Sequence, residues 1–305
     1  MARPQYSRNG IVRAIEMSRC DVTAVVEGFI DRMFFSELLN QNADTVGKAI
    51  QIRLAHEINS SLGNGKTALL ALHSRLKLHK RLIFTIGSDK KAVLVFLDKD
   101  IDDLKRTRRR CPHTIYTEYY SVENYLFRHG DLARTLICGA CLDGQSVGAL
   151  PTNQQWTLRA AKSWEAWIAF CLTTSKYRTP GLPNFGVESL IHSGPYSPLD
   201  AGKEATLLNA VARRTGRALA EVKTAYGRKL ARVRTLLAAD AIDQIFNGKW
   251  YFGFLAQDAK RLAAGRQMPS GLEDRLQGAL LASLNFRAAW ANSFQQKITA
   301  VLAQI

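Results

Sequence analysis

The spacing of apolar and polar positions predicts alternating strands and helices over the first 130 residues. Short apolar or β-branched runs indicate buried strands, and strict alternation indicates a half-buried strand. The predicted strands are residues 21–26, 50–54, 92–97 and 114–117. Apolar residues at helical spacing predict helices over residues 29–39 and 67–82, the second with Leu78 on its apolar side.

Strands that alternate with helices form right-handed βαβ units, which build a mostly parallel sheet flanked by helices. An unbroken apolar run such as residues 92–97 is typical of a parallel strand covered on both faces. Ligands of such sheets bind beyond the carboxyl ends of the strands. We therefore look for function at the ends of the predicted strands.

The rest of the chain has a different pattern, in which helical spacing dominates. The predicted helices are residues 156–172, 203–239, 250–264 and 272–302. Trp164 and Trp167 lie three residues apart, which favours a position in a core. We expect an α/β domain over residues 1–130 and a mostly helical domain over residues 131–305.

Carboxylates follow two of the predicted strands. The first strand is followed by Glu27 and by Gly28, a residue that permits a sharp backbone turn. The run 92–97 is followed by Asp98, Asp100 and Asp102. Alternate residues of an extended chain project to one side, where three carboxylates repel unless a cation neutralises them. Mg²⁺ takes oxygen ligands of this kind. We expect a metal-dependent site, with Glu27 as a metal ligand or as the base for a water.

The chain is strongly basic, with 42 Lys and Arg against 26 Asp and Glu and a net charge of +16. This excess favours polyanions, chiefly nucleic acid, as partners. A basic cluster follows the aspartates directly and is expected to bind a phosphate backbone. Its members are Lys105, Arg106, Arg108, Arg109 and Arg110. The alternative is a solvated helix face that balances Asp102 and Asp103.

The sequence has few features of a membrane protein or of a protein from an oxidising compartment. The first residues lack the apolar segment of a signal peptide, and no apolar run approaches the length of a membrane span. Five cysteines, an odd number, fit reduced thiols. We expect a cytoplasmic protein with no membrane partner.

Two short motifs are weaker. The segment Gly63-Asn64-Gly65-Lys66 resembles part of a phosphate-binding loop, but Ser60 stands where that loop needs its first glycine, so ATP hydrolysis by this chain is not expected. Cys138 and Cys141 form a lone CxxC pair that could join Cys111 and His113 at a zinc site. Coincidence is the favoured explanation of that pair.

Taken together, Glu27-Gly-Phe-Ile-Asp31 after one strand and Asp98-Lys-Asp100-Ile-Asp102 after a later strand resemble the Toprim domain. The loop before Lys66 and the segment Ser121-Val-Glu123-Asn-Tyr add to this resemblance. The order of these motifs along the chain is similar to that of a bacterial Toprim-like family, the AriB-type effector nucleases of PARIS phage defence. The resemblance covers roughly residues 20–130.

The resemblance implies roles for individual residues. Glu27 would be the essential acid, Asp98 and Asp100 would share catalysis and metal binding, and Asp102 would be a further ligand of Mg²⁺ or Mn²⁺. Asp31, Lys66 and Glu123 would be further site residues. For Glu123, the start of a helix beside core tyrosines is an equally good explanation.

The family context implies a toxic endonuclease of anti-phage defence, restrained by an ABC-type ATPase partner. Its substrate would be tRNA or other RNA in preference to DNA, and a homodimer would fit. Two alternatives stay open: a catalytically inactive nucleic-acid-binding or regulatory module, and a Toprim enzyme of nucleotidyl transfer or strand passage.

Overall fold

The computed structural model describes residues 10–58, 65–148, 150–179, 182, 184–185 and 194–305. The chain divides into two compact units, of which the first comprises Met1–Val122 and Asn285–Ile305 and the second Glu123–Leu284. The first unit thus includes residues 285–305, which the sequence-based boundary at residue 130 places in the helical domain.

The first unit is an α/β domain. Its strands are β1 (Val22–Val26), β2 (Ile50–Leu54), β3 (Ile83–Ile86), β4 (Asp89–Leu97) and β5 (Thr114–Tyr116). Its helices are α1 (Gly10–Glu16), α2 (Phe29–Asn40), α3 (Ala55–Ile58), α4 (Gly65–Leu78), α5 (Asp102–Lys105) and, from the C-terminal segment, α15 (Asn292–Leu302). Two 3-10 turns, Ala43–Thr45 and Ala289–Ala291, complete the described elements.

The sheet is mostly parallel, which confirms the predicted class. β1 lies between β2 and β4 and is parallel to both, with Val22 paired to Ile50 on one side and to Ala92 on the other. The opposite edge of β4 pairs with antiparallel β3 at its start and with parallel β5 at its end. The carboxyl ends of β1 and β4 therefore lie side by side.

The hairpin of β3 and β4 is not predicted from the sequence. The helix expected over residues 67–82 ends at Leu78, whose side chain is 79% exposed, so the expectation that Leu78 faces the core is wrong. Gly87 has φ +62° and begins the two-residue turn between Ile86 and Asp89, a conformation that glycine adopts without strain.

Both faces of the sheet are covered by apolar side chains. On one face, Leu69 and Leu72 of α4 join Val93 and Val95 of β4 in a buried cluster. Phe35 of α2 stacks on Phe96 with 4.1 Å between ring centroids. Aromatic residues of the C-terminal segment extend that contact, namely Phe286, Trp290 and Phe294.

The second unit is helical. The helices of this part of the chain are α6 (Val122–His129), α7 (Leu132–Ala140), α8 (Gly144–Val147), α9 (Asn153–Ser163), α10 (Glu165–Tyr177), α11 (Ala201–Thr215), α12 (Leu219–Ala238), α13 (Trp250–Leu262) and α14 (Leu272–Ala282). A 3-10 turn spans Ile242–Gln244. Among the helices that the structure describes, none combines the length and apolar character needed to cross a bilayer.

Three helices predicted from spacing alone are broken in the structure. Trp164 separates α9 from α10, and Gly216, at φ +64°, ends α11 before α12 begins. The stretch 272–302 divides into α14, a 3-10 turn and α15. Trp164 and Trp167 are buried, as predicted.

A buried group of charged residues lies within the second unit. Asp243 is 1% exposed and accepts hydrogen bonds from the Asn124 amide and the Tyr251 hydroxyl, both at 2.8 Å. The Arg128 guanidinium contacts the same carboxylate and also Asp240, with 3.0 Å between Nη1 and Oδ2. Each of these polar groups therefore has a partner of opposite charge or a hydrogen bond.

Candidate functional site

The first two predicted acidic residues meet at the carboxyl edge of the sheet. Glu27 follows β1 and Asp98 follows β4, and the two strands are parallel neighbours with Val25 opposite Val95. Oε1 of Glu27 accepts a hydrogen bond from the backbone N–H of Asp98 at 2.9 Å. Because this bond joins the two strand ends, it fixes the position of the Glu27 carboxylate relative to the turn that begins at Asp98.

The residue after Glu27 leaves room for another carboxylate. Gly28 has φ −142° and ψ −178°, an extended conformation that any residue adopts, so the expected sharp turn is not the reason for glycine here. A Cβ at Gly28 would lie 3.1 Å from Oδ2 of Asp31. Asp31 is in the first turn of α2 and is buried. Glycine thus allows the Asp31 carboxylate to lie close to the backbone after Glu27.

The segment from Asp98 to Asp102 is a turn that other backbone groups hold in place. Oδ1 of Asp98 accepts from the backbone N–H of Val122 at 3.0 Å. The backbone N–H groups of Lys99 and Asp100 donate to Oγ1 of Thr117 and to the carbonyl of Tyr120, each at 2.8 Å. The segment after β5 therefore fixes the aspartate turn.

The three aspartates do not project from an extended chain, and that part of the prediction is wrong. β4 ends at Leu97, Asp100 adopts a left-handed conformation at φ +50°, and Asp102 is the first residue of α5. Aspartate tolerates the left-handed region better than most residues. The turn, rather than period-two alternation, determines where these carboxylates lie.

Lys66 lies among these carboxylates. Its ammonium is 2.9 Å from Oδ2 of Asp100 and 2.7 Å from Oδ2 of Asp102. It also donates to the carbonyl oxygen of Asp98 and lies 3.4 Å from that of Lys99. Lys66 is the second residue of α4. The segment before α4, which includes Ser60, Gly63 and Asn64, lies outside the described residues. The comparison with a phosphate-binding loop falls on that segment.

Burial and neighbouring charge raise the pKa of Glu27 to about 8. Loss of hydration is the largest cause, and the carboxylates of Asp100 and Asp31 add to it by repulsion. The Lys66 ammonium and the Asp98 hydrogen bond oppose the increase. For Lys66, burial lowers the pKa, but attraction to Asp100 and Asp102 exceeds that effect and the net shift is upward. Glu27 is thus a carboxyl whose ionised form is disfavoured.

A divalent cation has suitable ligand atoms here but no prearranged set of side chains. Within the described ranges, no three or more His, Cys, Asp or Glu side chains are grouped to hold a metal ion. The surroundings of the Lys66 ammonium consist of carboxylate and carbonyl oxygens, which are the donors that hard cations take. Glu27, Asp98, Asp100 and Asp102 therefore fit Mg²⁺ or Mn²⁺ by their chemistry.

Glu123, the remaining acidic candidate, is the first residue of the second unit and lies in the first turn of α6. Its side chain is buried, and its Oε2 atom has no hydrogen-bond partner among the described residues. The role implied for Glu123 stays a prediction.

The basic cluster belongs mostly to a loop rather than to a helix face. Lys105 ends α5, Arg106 has φ +56°, and the arginines follow in irregular chain. A cavity of about 740 Å³ lies beside them, lined by Arg106, Arg108, Arg109, Arg110 and, unpredicted, Lys297 of α15. Lys297 is distant in sequence, so no local pattern could place it there.

Two arginines of this cavity are fixed by contacts within the first unit. The Arg108 guanidinium lies 4.7 Å from the ring centroid of Tyr116 and 3.4 Å from Asp103. Arg109 donates to the carbonyl of Leu70 at 3.0 Å. Their positive charges are therefore held beside the cavity.

The cysteine motif finds no support in the described parts of the chain. Cys138 and Cys141 are exposed, and His113 contacts the carbonyl of Val93 through Nδ1 at 2.8 Å. Burial lowers the pKa of His113. No grouping that could hold zinc includes these described side chains.

In the comparisons with known proteins, no family model and no curated protein matches this chain. The Toprim resemblance therefore stays a prediction that rests on the residues quoted for it. The mostly parallel sheet and the helical second unit are consistent with the α/β class that it implies.

Proposed function

We propose that the chain is a Toprim-like, metal-dependent endonuclease that hydrolyses phosphodiester bonds of nucleic acid. One observation carries the proposal: the Glu27 carboxylate is hydrogen-bonded to the start of the Asp98 turn at the carboxyl ends of two parallel strands. Ligands of α/β sheets bind at such ends. The basic cavity in the same unit supports a polyanionic substrate.

In the proposed reaction, Glu27 accepts a proton from a water whose oxygen attacks phosphorus. The bond from phosphorus to the leaving oxygen breaks, and that oxygen keeps the electron pair and takes a proton from solvent. A divalent cation held by Asp98 and Asp100 would stabilise the charge on the phosphate and favour the ionised form of Glu27. The basic cluster binds the flanking phosphates and orients the strand. Asp31 lies close to the backbone after Glu27 and adds negative charge there.

The biological context of the proposal comes from the resemblance. The chain would act in the cytoplasm as a toxic effector of anti-phage defence, held inactive by an ABC-type ATPase. Such restraint suits an enzyme that cleaves tRNA or other RNA of its own cell. Duplex DNA is the alternative substrate.

The test is a cleavage assay of the full chain on labelled tRNA, single-stranded RNA and duplex DNA with Mg²⁺ or Mn²⁺. We expect Glu27→Gln to lower the cleavage rate by about 100-fold or more, the usual effect of removing a general base. Glu37→Gln is the matched control, because Glu37 is an exposed glutamate of α2, the helix that begins two residues after Glu27.

Two results would contradict the proposal. Equal cleavage by the wild type and Glu27→Gln would assign the activity to other residues. Binding of the nucleic acids with no metal-dependent cleavage by the wild type would favour the inactive binding module instead.

A further inference from the structure

The strongest unexplained feature is the position of the Lys66 ammonium. Oxygens of Asp98, Lys99, Asp100 and Asp102 surround it, two of them from carboxylates at 2.7 and 2.9 Å. The Lys66 side chain is 17% exposed, so this is not an ion pair of the open surface. The ammonium is therefore a cation enclosed by the aspartate turn.

A second cation would compete with the ammonium for these carboxylates. A divalent ion coordinated by Asp100 or Asp102 would lie within a few ångströms of the Lys66 charge, where like charges repel strongly in a partly buried site. Oδ2 of Asp100 and the carbonyl oxygen of Asp98, which are suitable ligand atoms for the ion, already accept hydrogen bonds from Lys66. The Lys66 ammonium in this position therefore competes with a metal ion for the same carboxylates.

We propose that Lys66 is a built-in competitor of the divalent cation, so that metal binding at Asp100 and Asp102 requires the Lys66 side chain to withdraw. The inference rests on the proposed function in taking Asp100 as a metal ligand, and it adds Asp102, whose carboxylate lies 2.7 Å from the same ammonium. It adds a form of regulation: the protein holds its site in a metal-poor state until Lys66 is displaced.

The location of Lys66 makes withdrawal feasible. It is the second residue of α4, and its flexible four-carbon stem can move the ammonium without moving the helix. An arriving phosphate would offer the displaced ammonium another anionic partner. Substrate and metal ion would therefore favour each other's binding, because both favour the withdrawn lysine.

The test measures Mn²⁺ binding directly, by the electron paramagnetic resonance signal of free Mn²⁺ in titrations of the full chain. We expect Lys66→Met, which keeps a similar apolar length and removes the charge, to bind Mn²⁺ about tenfold more tightly or better than the wild type. Lys77→Met is the matched control, since Lys77 is an exposed lysine of the same helix, and it should bind like the wild type.

The increase of the melting temperature on adding Mn²⁺ is a second measurement on the same proteins. It should be larger for Lys66→Met than for the wild type, because the variant loses the counterion of Asp100 and Asp102 in the absence of metal. Circular dichroism establishes that the variant is folded in the presence of Mn²⁺.

The outcomes separate this inference from the proposed function. Unchanged or weaker Mn²⁺ binding by Lys66→Met, or tighter binding also by Lys77→Met, overturns the competitor role even if Glu27-dependent cleavage is found. Tighter binding by Lys66→Met alone supports it even if no nucleic acid is cleaved. Absence of Mn²⁺ binding by every protein overturns it as well.

Discussion

Glu27 in the first unit and Asp243 in the second are both carboxylates largely withdrawn from water, yet their surroundings differ. Asp243 accepts from Asn124, Tyr251 and Arg128, and Arg128 is shared with Asp240. Glu27 accepts from one backbone N–H and is near two further carboxylates, and the Lys66 ammonium opposes their effect.

The difference is that donors compensate the charge of one carboxylate and leave the other largely uncompensated. The Asp243 group has donors arranged around it, and these stabilise the negative charge within the helical unit. At Glu27, burial and repulsion raise the pKa of the carboxyl to about 8, which leaves its protonation state sensitive to any ligand that brings positive charge. Perturbed carboxyls of this kind occur more often at functional sites than elsewhere.

The largest effect on stability is expected in the second unit. Arg128→Met removes the cation from Asp243, which is 1% exposed, and leaves a buried negative charge without its ion pair. We expect a loss of about 3–5 kcal/mol in the free energy of unfolding, measured by urea denaturation at neutral pH.

Arg213→Met is the control for that variant, because Arg213 is an exposed arginine in the last turn of α11. Its free energy of unfolding should change by no more than about 0.5 kcal/mol. A similarly small effect of Arg128→Met would contradict the structural assignment of the Asp243 group.

An effect that depends on pH is expected in the first unit. The pKa of Glu27 is about 8 in the folded state and near its ordinary 4.5 in the unfolded state, so between these values the folded chain binds more protons. The contribution of Glu27 to stability is therefore full below the lower value and is lost as the pH rises to about 8. Its slope reaches about 1.4 kcal/mol per pH unit.

The measurement is the free energy of unfolding of metal-free protein in EDTA at several pH values from 5 to 8. Glu27→Gln should remove this part of the pH dependence, because glutamine does not titrate, whereas Glu37→Gln should retain it. Parallel curves for the wild type and Glu27→Gln would show that the pKa of Glu27 is not raised.

The smallest expected effect compares two glycines. Gly28→Ala places a Cβ 3.1 Å from Oδ2 of Asp31 and should lower the free energy of unfolding by about 1 kcal/mol. Gly227 lies inside α12 with no atom within 4 Å of an added Cβ, so Gly227→Ala should raise it by about 0.5–1 kcal/mol. The measurement is thermal unfolding of both variants and of the wild type. If both variants were destabilised, crowding at Asp31 would not explain the loss of stability in Gly28→Ala.

The parts of the site that follow from strand order could be predicted from the sequence. Buried apolar runs indicated β1 and β4, and parallel pairing places their carboxyl ends at one edge, which brings Glu27 to Asp98. The class of fold and the helical character of residues after 130 follow from the same periodicities.

The parts that depend on local backbone conformation or on distant contacts could not be predicted. The left-handed Asp100 places the aspartates in a turn, whereas their spacing alone suggested a single face of a strand. Lys66 lies between Asp100 and Asp102 because of how α4 packs, and Lys297 reaches the basic cavity from α15. Short-range patterns carry no information about either contact.

The return of the chain to the first unit has a consequence for protein synthesis. The segment Asn285–Ile305 is translated only after the whole of Glu123–Leu284. Until then, a nascent chain lacks Phe294, which packs on Phe35, and Lys297, which lines the basic cavity. A ribosome that stops within the helical unit therefore releases a fragment without the complete aromatic core of the first unit, and premature termination yields no complete basic cavity.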